Sequence, residues 1–477
     1  MPSTIVDPAV ADESSPQGGV ADPSRDAGSA AGTSSMGVVV RWGIVGLLMV
    51  GMVCSLIDRQ VITLLVEPIK AEYGLSDTQF SLLIGPAFVS FYLLFGFPFG
   101  WAADNFPRKL VIALGIAIWS FATLACGLAP TFLMLLGARM LVGAGEASLT
   151  PSALSMMSDM FPRDRLPFVI GVFSVSMHLG GAGALLVGGA LLSVFGDAPT
   201  VGFPVLGALS PWQAIFVIIA LPGFAIAAAF LLSAEPKRRR FIDTDDSTEA
   251  SSDTKASGFF SGVAPFYRAN ADTINRQLIA ATLLTIGTYA FASWAPAYLI
   301  RVHDLPSDEV ALLLGIVVLT CGPTGSVVGG LLASYLQTKR QRVDGPWIVM
   351  AISGAGTALF SPLVFLSNSL AIVAVFGGIA IFLGSLYLGI VHAAMQVICP
   401  ADLRGRMSAI MLFVMNGLGV TLGPVLVALI TDRVFGDANN VGASIATIST
   451  LVGTAAAILL FTGLSSYRES YARLSAS

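Results

Sequence analysis

The sequence is short of charge. Twenty-five Lys and Arg and 29 Asp and Glu make up 11% of 477 residues, where soluble domains carry about 25%. A net charge of −4 leaves no basic footprint for nucleic acid. Cysteine occurs four times, and Cys54, Cys126, Cys321 and Cys399 each stand alone in an apolar stretch. That pattern excludes both zinc spacing and a disulfide scaffold. Histidine occurs three times, with His178 and His392 inside apolar stretches and His303 just beyond one, so no His and Asp cluster marks an enzyme at a membrane face. No phosphate-binding glycine loop ending in Lys is present, which excludes a primary pump. The expectation is a protein that is not an enzyme, with no cofactor and no metal. Residues 1–36 have neither the basic start nor the apolar run of a signal peptide. Their Pro, Ser, Gly and Ala, with Asp7, Asp12, Glu13, Asp22 and Asp26 against Arg25, predict a disordered tail.

What abounds is apolar. Hydrophobic residues reach 55% against roughly 45–50% in soluble domains, an excess that no globular core absorbs. A hydrocarbon layer of about 30 Å takes about 20 helical residues to cross. Twelve runs qualify: 41–69, 78–102, 108–129, 131–158, 165–195 and 211–233, then 276–302, 308–336, 346–366, 370–397, 405–432 and 442–465. The predicted fold class is an all-α membrane protein of twelve transmembrane helices in two six-helix bundles, 37–234 and 276–466. Between them 235–275 reads as a linker, charged and rich in small polar residues, and 467–477 as a C-terminal tail. Twenty of the 25 Lys and Arg fall on the termini and the loops of one side. Lys70, Arg301 and Arg433 alone occupy the other, and Arg59 and Arg139 lie within spans. The positive-inside rule then puts both termini in the cytoplasm of a multi-pass cell-membrane protein.

An internal repeat supports the halving. Ser81-Leu-Leu-Ile-Gly85 aligns with Ala311-Leu-Leu-Leu-Gly315 at an offset of 230, which also brings Gly100 onto Gly330 and Lys109 onto Lys339. Pro162 and Asp164 align with Pro400 and Asp402 at 238. Repeats of this kind bind their cargo between the halves, near the membrane midplane. Gly85-Pro86, Gly322-Pro323 and Gly423-Pro424 mark points where a helix can loosen.

The loop after the second span reads Gly100-Trp-Ala-Ala-Asp104-Asn-Phe-Pro-Arg108-Lys109. Gly100 would let helices approach, Asp104 would sit at a helix N-terminus, and Arg108 and Lys109 would hold the cytoplasmic face, making a latch. The alternative is that the basic pair only obeys the positive-inside rule. The loop resembles the signature loop of the major facilitator superfamily, with Asn105 and Pro107 where Arg and Gly are usual. In the second half Ser334 replaces the Asp. Ile57-Asp58-Arg59, then Arg139-Met-Leu-Val-Gly143-Ala-Gly145-Glu146-Ala-Ser148, Ser158-Asp159-Met-Phe161 and Trp294-Ala-Pro296 together resemble the spinster-like branch. Animal members of that branch carry sphingosine-1-phosphate or lysophospholipids. An Asp-Arg with Arg…Gly-Glu-Ala also occurs in organic-anion/proton symporters of the same superfamily, which keeps a small organic anion as the alternative cargo.

Four ionisable groups lie inside spans: Asp58, Arg59, Arg139 and Glu146. Each costs about 2.5–3.5 kcal/mol at a helix centre, so each needs a partner or a wet cavity. Arg139 and Glu146 are seven residues apart, about 10 Å along one helix face. The resemblance implies that the first and fourth spans flank the central cavity, with Glu146 and then Asp58 as proton-coupling groups and Arg59 or Arg139 holding an anionic head. Burial disfavours a carboxylate's charge while a nearby Arg favours it, a balance suited to loading and unloading a proton. The alternative is a structural ion pair, such as Asp58 with Arg139. At the repeat offsets these four residues align with Thr288, Tyr289, Gly377 and Gly384, so every central charge belongs to the first half. The facing wall is expected from Tyr289, Trp294, Tyr298, Tyr387 and His392, apolar bodies with polar tips, with helix packing as the plain alternative for each. A cavity charged on one side and apolar on the other suits an anionic amphiphile. The expected partners are that small substrate, protons and membrane lipid, and the chain is expected to act as a monomer.

Overall fold

The computed structural model describes residues 36–162, 165–196, 198–236, 238, 262–400 and 403–476. Nearly all of the predicted tail, the linker from 239 to 261, and Asp164 and Asp402 of the second repeat match lie outside the described residues. The first half opens with α1 (Val38–Gln60), which runs through a 3-10 turn at Val61–Leu64 into α2 (Val66–Tyr73). The chain turns at Gly74, whose φ of 65° is a left-handed backbone that glycine adopts without strain. Ser76 starts α3 (Asp77–Ile84) through a reciprocal cap with Gln79. The helix breaks at Gly85, and Pro86 begins α4 (Pro86–Asn105), the position where a missing N–H costs nothing. Then come α5 (Arg108–Gly127), α6 (Phe132–Glu146), α7 (Leu149–Met160) and α8 (Leu166–Phe195), a short antiparallel hairpin of β1 (Val201–Phe203) and β2 (Gly207–Leu209), and α9 (Pro211–Leu232).

The second half holds α10 (Val263–Ala269), α11 (Ala271–His303), α12 (Ser307–Thr338), α13 (Gly345–Phe365), α14 (Leu370–Ser385) and α15 (Val391–Ile398), followed by α16 (Arg404–Val414), α17 (Thr421–Leu429), α18 (Val441–Thr462) and α19 (Leu464–Ala476). Two π-helical turns, Met415–Val420 and Ile430–Phe435, join and extend α16 and α17. Residues 467–477, read from sequence as a tail, are thus helical to Ala476. Tyr467 is buried and its hydroxyl donates to Ala394 O at 2.8 Å.

Among the described residues eleven helical stretches are long and apolar enough to cross a membrane. The tenth predicted run, 370–397, departs from one continuous span. Its α14 has 16 residues, about 24 Å of helix, and a turn over 386–390 separates it from α15. The fourth run breaks the same way, α6 ending at Glu146 and α7 starting at Leu149. At the offset of 238 Glu146 falls on Gly384, one residue before the end of α14, so the repeat extends from sequence to the helix interruption. Around the bundle Phe97, Leu133, Val187, Leu359, Val375 and Leu451 point outward, the surface a hydrocarbon layer would cover. Inside, α1 packs on α8, α5 on α6 and α9, α8 on α12, and α13 on α14 and α18.

Candidate functional site

The central charges meet where α1, α3 and α6 end. Arg59, in the last turn of α1, donates from Nη2 to Glu146 Oε2 at 2.7 Å and from Nε to the same oxygen at 3.2 Å. The Glu146 side chain is 1% exposed and that of Arg59 is 19% exposed. The guanidinium lies 4.1 Å from the Phe88 ring centre and 5.4 Å from that of Tyr92, within cation–π range. Glu146 Oε1 is buried and has no hydrogen-bond partner among the described residues. Asp58, one residue before Arg59, is also buried. Its Oδ2 accepts from Thr123 Oγ1 at 3.4 Å and its Oδ1 has no partner among the described residues. Small residues bring α6 close enough for this: a Cβ on Gly143 would stand 2.2 Å from Phe88 O.

The pair is therefore Arg59 with Glu146, and Asp58 does not bridge to Arg139. Arg139 is fully buried and donates to backbone carbonyls, Nη1 to Asp58 O and Nη2 to Arg59 O at 3.0 Å each, and Nε to Leu83 O at 3.4 Å. These carbonyls belong to the last turns of α1 and α3, where helix ends leave acceptors unsatisfied and favour positive charge. Arg139 ties two helix ends together beneath the Arg59–Glu146 pair.

A cavity of about 220 Å³ reaches Gln60, the residue after Arg59, though neither Arg59 nor Glu146 lines it; its walls are Gln60 of α1, Thr63 of the 3-10 turn and α8 from the first half and α11 to α14 from the second. Gln60, Thr63, His178, Thr288 and Ser361 give it polar points in a lining without any charged residue. Of the aromatic wall expected from sequence, none lines it. Trp294 is buried and donates from Nε1 to Pro424 O at 3.0 Å. Tyr298 donates to Val364 O and Ser367 O at 3.0 and 3.1 Å. Tyr387 is buried with its hydroxyl 3.3 Å from Thr288 Oγ1 and 3.4 Å from Thr285 Oγ1, so it positions the Thr288 that does line the cavity. Tyr289 and His392 are half-buried. Their neighbours Thr288, Ala295, Pro296 and Leu388 form the wall instead. Where α8 meets α12, His178 Nε2 lies 3.2 Å from Ser326 Oγ, a hydrogen bond between the halves.

The loop after α4 is anchored differently from the sequence expectation. Outside its own helix turn, no described atom lies within 4 Å of the point where a Cβ on Gly100 would stand, so this glycine permits no close approach of another helix here. Asp104 is exposed, and its backbone carbonyl accepts from Arg238. The seat at the start of α5 is filled by Glu235, which accepts the Arg108 N–H at 3.1 Å and the Lys109 N–H at 2.9 Å, a carboxylate on a helix N-terminus. Arg108 is fully buried and pairs with both Asp159 and Glu235. Lys109 Nζ donates to Leu231 O and Ser233 O at the end of α9. The second half inverts the charge: buried Asp344 lies between Arg342 and Arg468 of α19.

At the opposite end, polar contacts cross between the halves. Arg301 of α11 donates to both oxygens of Asp77 at 2.7 and 2.8 Å and to Glu67 at 2.7 Å, and Lys70 also pairs with Asp77. Asp432 accepts from the Thr78 N–H at 2.7 Å and its hydroxyl at 2.6 Å. An acid from the second half thus caps a helix of the first.

The model of the Major Facilitator Superfamily matches residues 48–424. The chain belongs to this superfamily. It is a transporter by family and fold rather than an enzyme. Within the superfamily it is related to the spinster proteins. It is 25% identical over 407 residues to the sphingosine-1-phosphate transporter of Xenopus tropicalis, covering 82% of this chain and 73% of that protein. It is 26% identical over 337 residues to the probable galactarate/D-glucarate transporter of Bacillus subtilis, covering 66% and 69%. The crystal structure of a bacterial homolog of the human lysosomal transporter spinster, inward-facing and unoccupied, superposes with a TM-score of 0.72 at 25% identity, over 91% of this chain and 98% of that one. A D-xylose–proton symporter shares the fold at a TM-score of 0.68 and 12% identity, over 88% and 97%.

Asp159, named above only as part of a motif, and Glu235 are charged residues at span ends whose partner, Arg108, becomes evident only when α5 is placed beside α7 and α9. Gln60, Thr63 and Ser361 are single polar residues in apolar runs, a signal too common in membrane helices to single them out.

Proposed function

We propose that this transporter is proton-coupled and moves an anionic amphiphile, such as a lysophospholipid or a sphingosine-phosphate-like molecule, by alternating access between two six-helix halves. The reading takes twelve spans in the cell membrane, both termini cytoplasmic, with 37–234 and 276–466 as the halves, 235–275 as the cytoplasmic linker, 1–36 and 467–477 as the terminal segments, and the monomer as the working unit. The observation that carries it is the Arg59–Glu146 pair, a cation held by one carboxylate oxygen while the other has no partner among the described residues. A proton on Glu146 neutralises the partner of Arg59, and the guanidinium becomes available to an anionic head. Asp58, buried without a cation, offers a second place for the proton, since a proton there removes the cost of an unpaired buried charge. Arg139 holds the backbone of Asp58 and Arg59 in place and is a positioning residue. Among the gate-loop residues, Gly100, Asp104, Arg108 and Lys109, the buried Arg108 is the anchor around which α5, α7 and α9 move together.

Linkage gives this scheme a direction: if the proton favours the anion, the anion favours the proton by the same factor. Substrate binding therefore tightens as pH falls, and proton and anion travel together. Relatives named as sphingosine-1-phosphate transporters and spinster homologues support the amphiphile, and so does the uncharged, largely apolar cavity lined by Gln60, the residue after Arg59. A small organic anion is the second reading, favoured by the likeness to the galactarate/D-glucarate transporter. Proteoliposomes with an imposed proton gradient, offered a labelled lysophospholipid and labelled glucarate in parallel, separate the two. Gradient-driven movement of the lipid supports the first, and movement of glucarate alone supports the second.

A further inference from the structure

Between α8 and α9 the chain leaves the helix bundle as the β1–β2 hairpin, and from Val201 to Leu209 it reads Val-Gly-Phe-Pro-Val-Leu-Gly-Ala-Leu. No side chain in this run carries a polar atom. Turns that face water are rich in Asn, Asp and Ser beside Gly and Pro, because those side chains bond the backbone and the solvent. This one offers water nothing but its backbone. Other connections at the Arg301 end keep their charges: Glu67, Lys70 and Glu72 follow α1, Asp304 follows α11 and Asp437 precedes α18.

The hairpin is held firmly at its base. Val201 pairs with Leu209, Gly202 with Ala208 and Phe203 with Gly207, and Gly207 makes the left-handed turn at a φ of 80°. Burial alternates as the pleat requires, with Val201 and Phe203 half-buried and Leu209 buried while Gly202 and Ala208 are exposed. Just beyond, the Ser210 N–H donates to Gln213 Oε1 at 3.0 Å, and the buried Trp212 donates from Nε1 to Glu72 of α2. From that base the tip, Pro204, Val205 and Leu206, points outward, and Val205 is 92% exposed.

Two features limit what can cover this tip. It continues the lipid-facing surface of α8, which presents Val187 and Val194 outward, so its apolar side chains belong beside lipid. Each strand pairs only with the other among the described residues, so the outer edges keep unpaired N–H and C=O groups, which hydrocarbon does not accept. The headgroup layer meets both demands.

We propose that this hairpin is a membrane-interface anchor. It lies in the phospholipid headgroup layer at the Arg301 end, with Val205 and Leu206 against lipid, and fixes the depth of α8 and α9 in the bilayer. The anchor is independent of the reading of Arg59 and Glu146. Since α8 is the first-half helix that packs on α12, it steadies one side of a seam between the halves.

A nitroxide on Val205→Cys reads the surroundings of a side chain that little else touches. Full-length protein in phosphatidylcholine nanodiscs would be labelled beside the unsubstituted chain, so that the signal of the four native cysteines is subtracted. Power saturation would be followed with oxygen, which concentrates in hydrocarbon, and with a nickel chelate, which stays in water. Asn439→Cys, exposed at the same end, marks water, and Leu451→Cys, on the outward face of α18, marks hydrocarbon. The label at Val205 should show an oxygen-to-nickel ratio several times that at Asn439 and clearly below that at Leu451. A ratio equal to that at Asn439 places the hairpin in water, and one equal to that at Leu451 places it in the core. Dipolar broadening that disappears when labelled chain is diluted with unlabelled chain places it against a second copy. Each of these three results overturns the anchor.

Discussion

Asp77→Asn tests what holds the two halves together at the Arg301 end. Asp77 is buried and takes both guanidinium nitrogens of Arg301, whose side chain is 6% exposed. Removing one member of a buried pair costs about 3–5 kcal/mol, because the other charge is left without compensation. Here Glu67, itself 41% exposed, remains on Arg301 Nε, which argues for the lower end, about 3 kcal/mol. Since 1.36 kcal/mol is a tenfold change, the closed-to-open ratio at this end should fall by about two orders of magnitude. Spin labels at Ala71 and Val434, both exposed and on opposite halves, would read the separation by pulsed dipolar spectroscopy in nanodiscs. The expected result is a new, longer distance in Asp77→Asn. Lys70→Met is the control, because Lys70 shares a half with Asp77 and its loss breaks no bond between halves. An unchanged distance in Asp77→Asn, or an equal widening in Lys70→Met, would refute the cross-half pair as the latch.

Three further outcomes follow from the packing. Gly143→Ala places a Cβ about 2.2 Å from the Phe88 carbonyl, so α6 must shift from α4 at a cost of about 1–3 kcal/mol. Its melting temperature in detergent should drop, and arginine-anion binding should weaken with it. Arg139→Met leaves the carbonyls of Asp58, Arg59 and Leu83 buried without a donor, and should destabilise the protein by several kcal/mol. Its thermal unfolding should show a larger loss than Glu146→Gln. The third concerns pH. Burial raises the Asp344 carboxyl, but hydrogen bonds and charge from Arg342 and Arg468 outweigh it and hold the group below the ordinary carboxylate range. A lowered folded value means that stability is present above the unfolded value of about 3.9 and is lost as pH falls through the folded one. Amide protection in α19, corrected for intrinsic exchange, should therefore be the same at pH 5 and pH 7 in wild type, and lower at both in Asp344→Asn.

Long apolar runs carried most of the architecture into plain view. Where a run was uniform, as at 211–233 against Pro211–Leu232, the limits agreed within a residue. Where it hid a break, as at Gly85, after Glu146 or at 386–390, hydropathy continued straight through, because apolar residues serve a turn between packed helices as well as a helix. The charged cluster was legible as a cluster, since four ionisable residues in spans demand company. Its pairing was not, because Arg59 and Arg139 sit equally near the carboxylates in sequence terms. Only the end of α1 decides it, by offering Arg139 two carbonyls and leaving Glu146 to Arg59. The aromatic wall shows the same limit in reverse. Trp294 and Tyr298 have polar tips that read as ligand contacts, yet in a helix bundle the backbone carbonyl of Pro424 or of Val364 is an equally good partner.

The central claim is that Glu146 carries the coupled proton and that its proton frees Arg59. Proteoliposomes loaded with a pH-sensitive dye and given a saturating lysophospholipid would report proton movement driven by substrate alone. Wild type should acidify the compartment the lipid enters. Glu146→Gln should bind the lipid with a weaker pH dependence, Asp58 alone remaining to take a proton, and should lose most of the proton movement. Substrate-driven proton flux of wild-type size in Glu146→Gln would contradict the account.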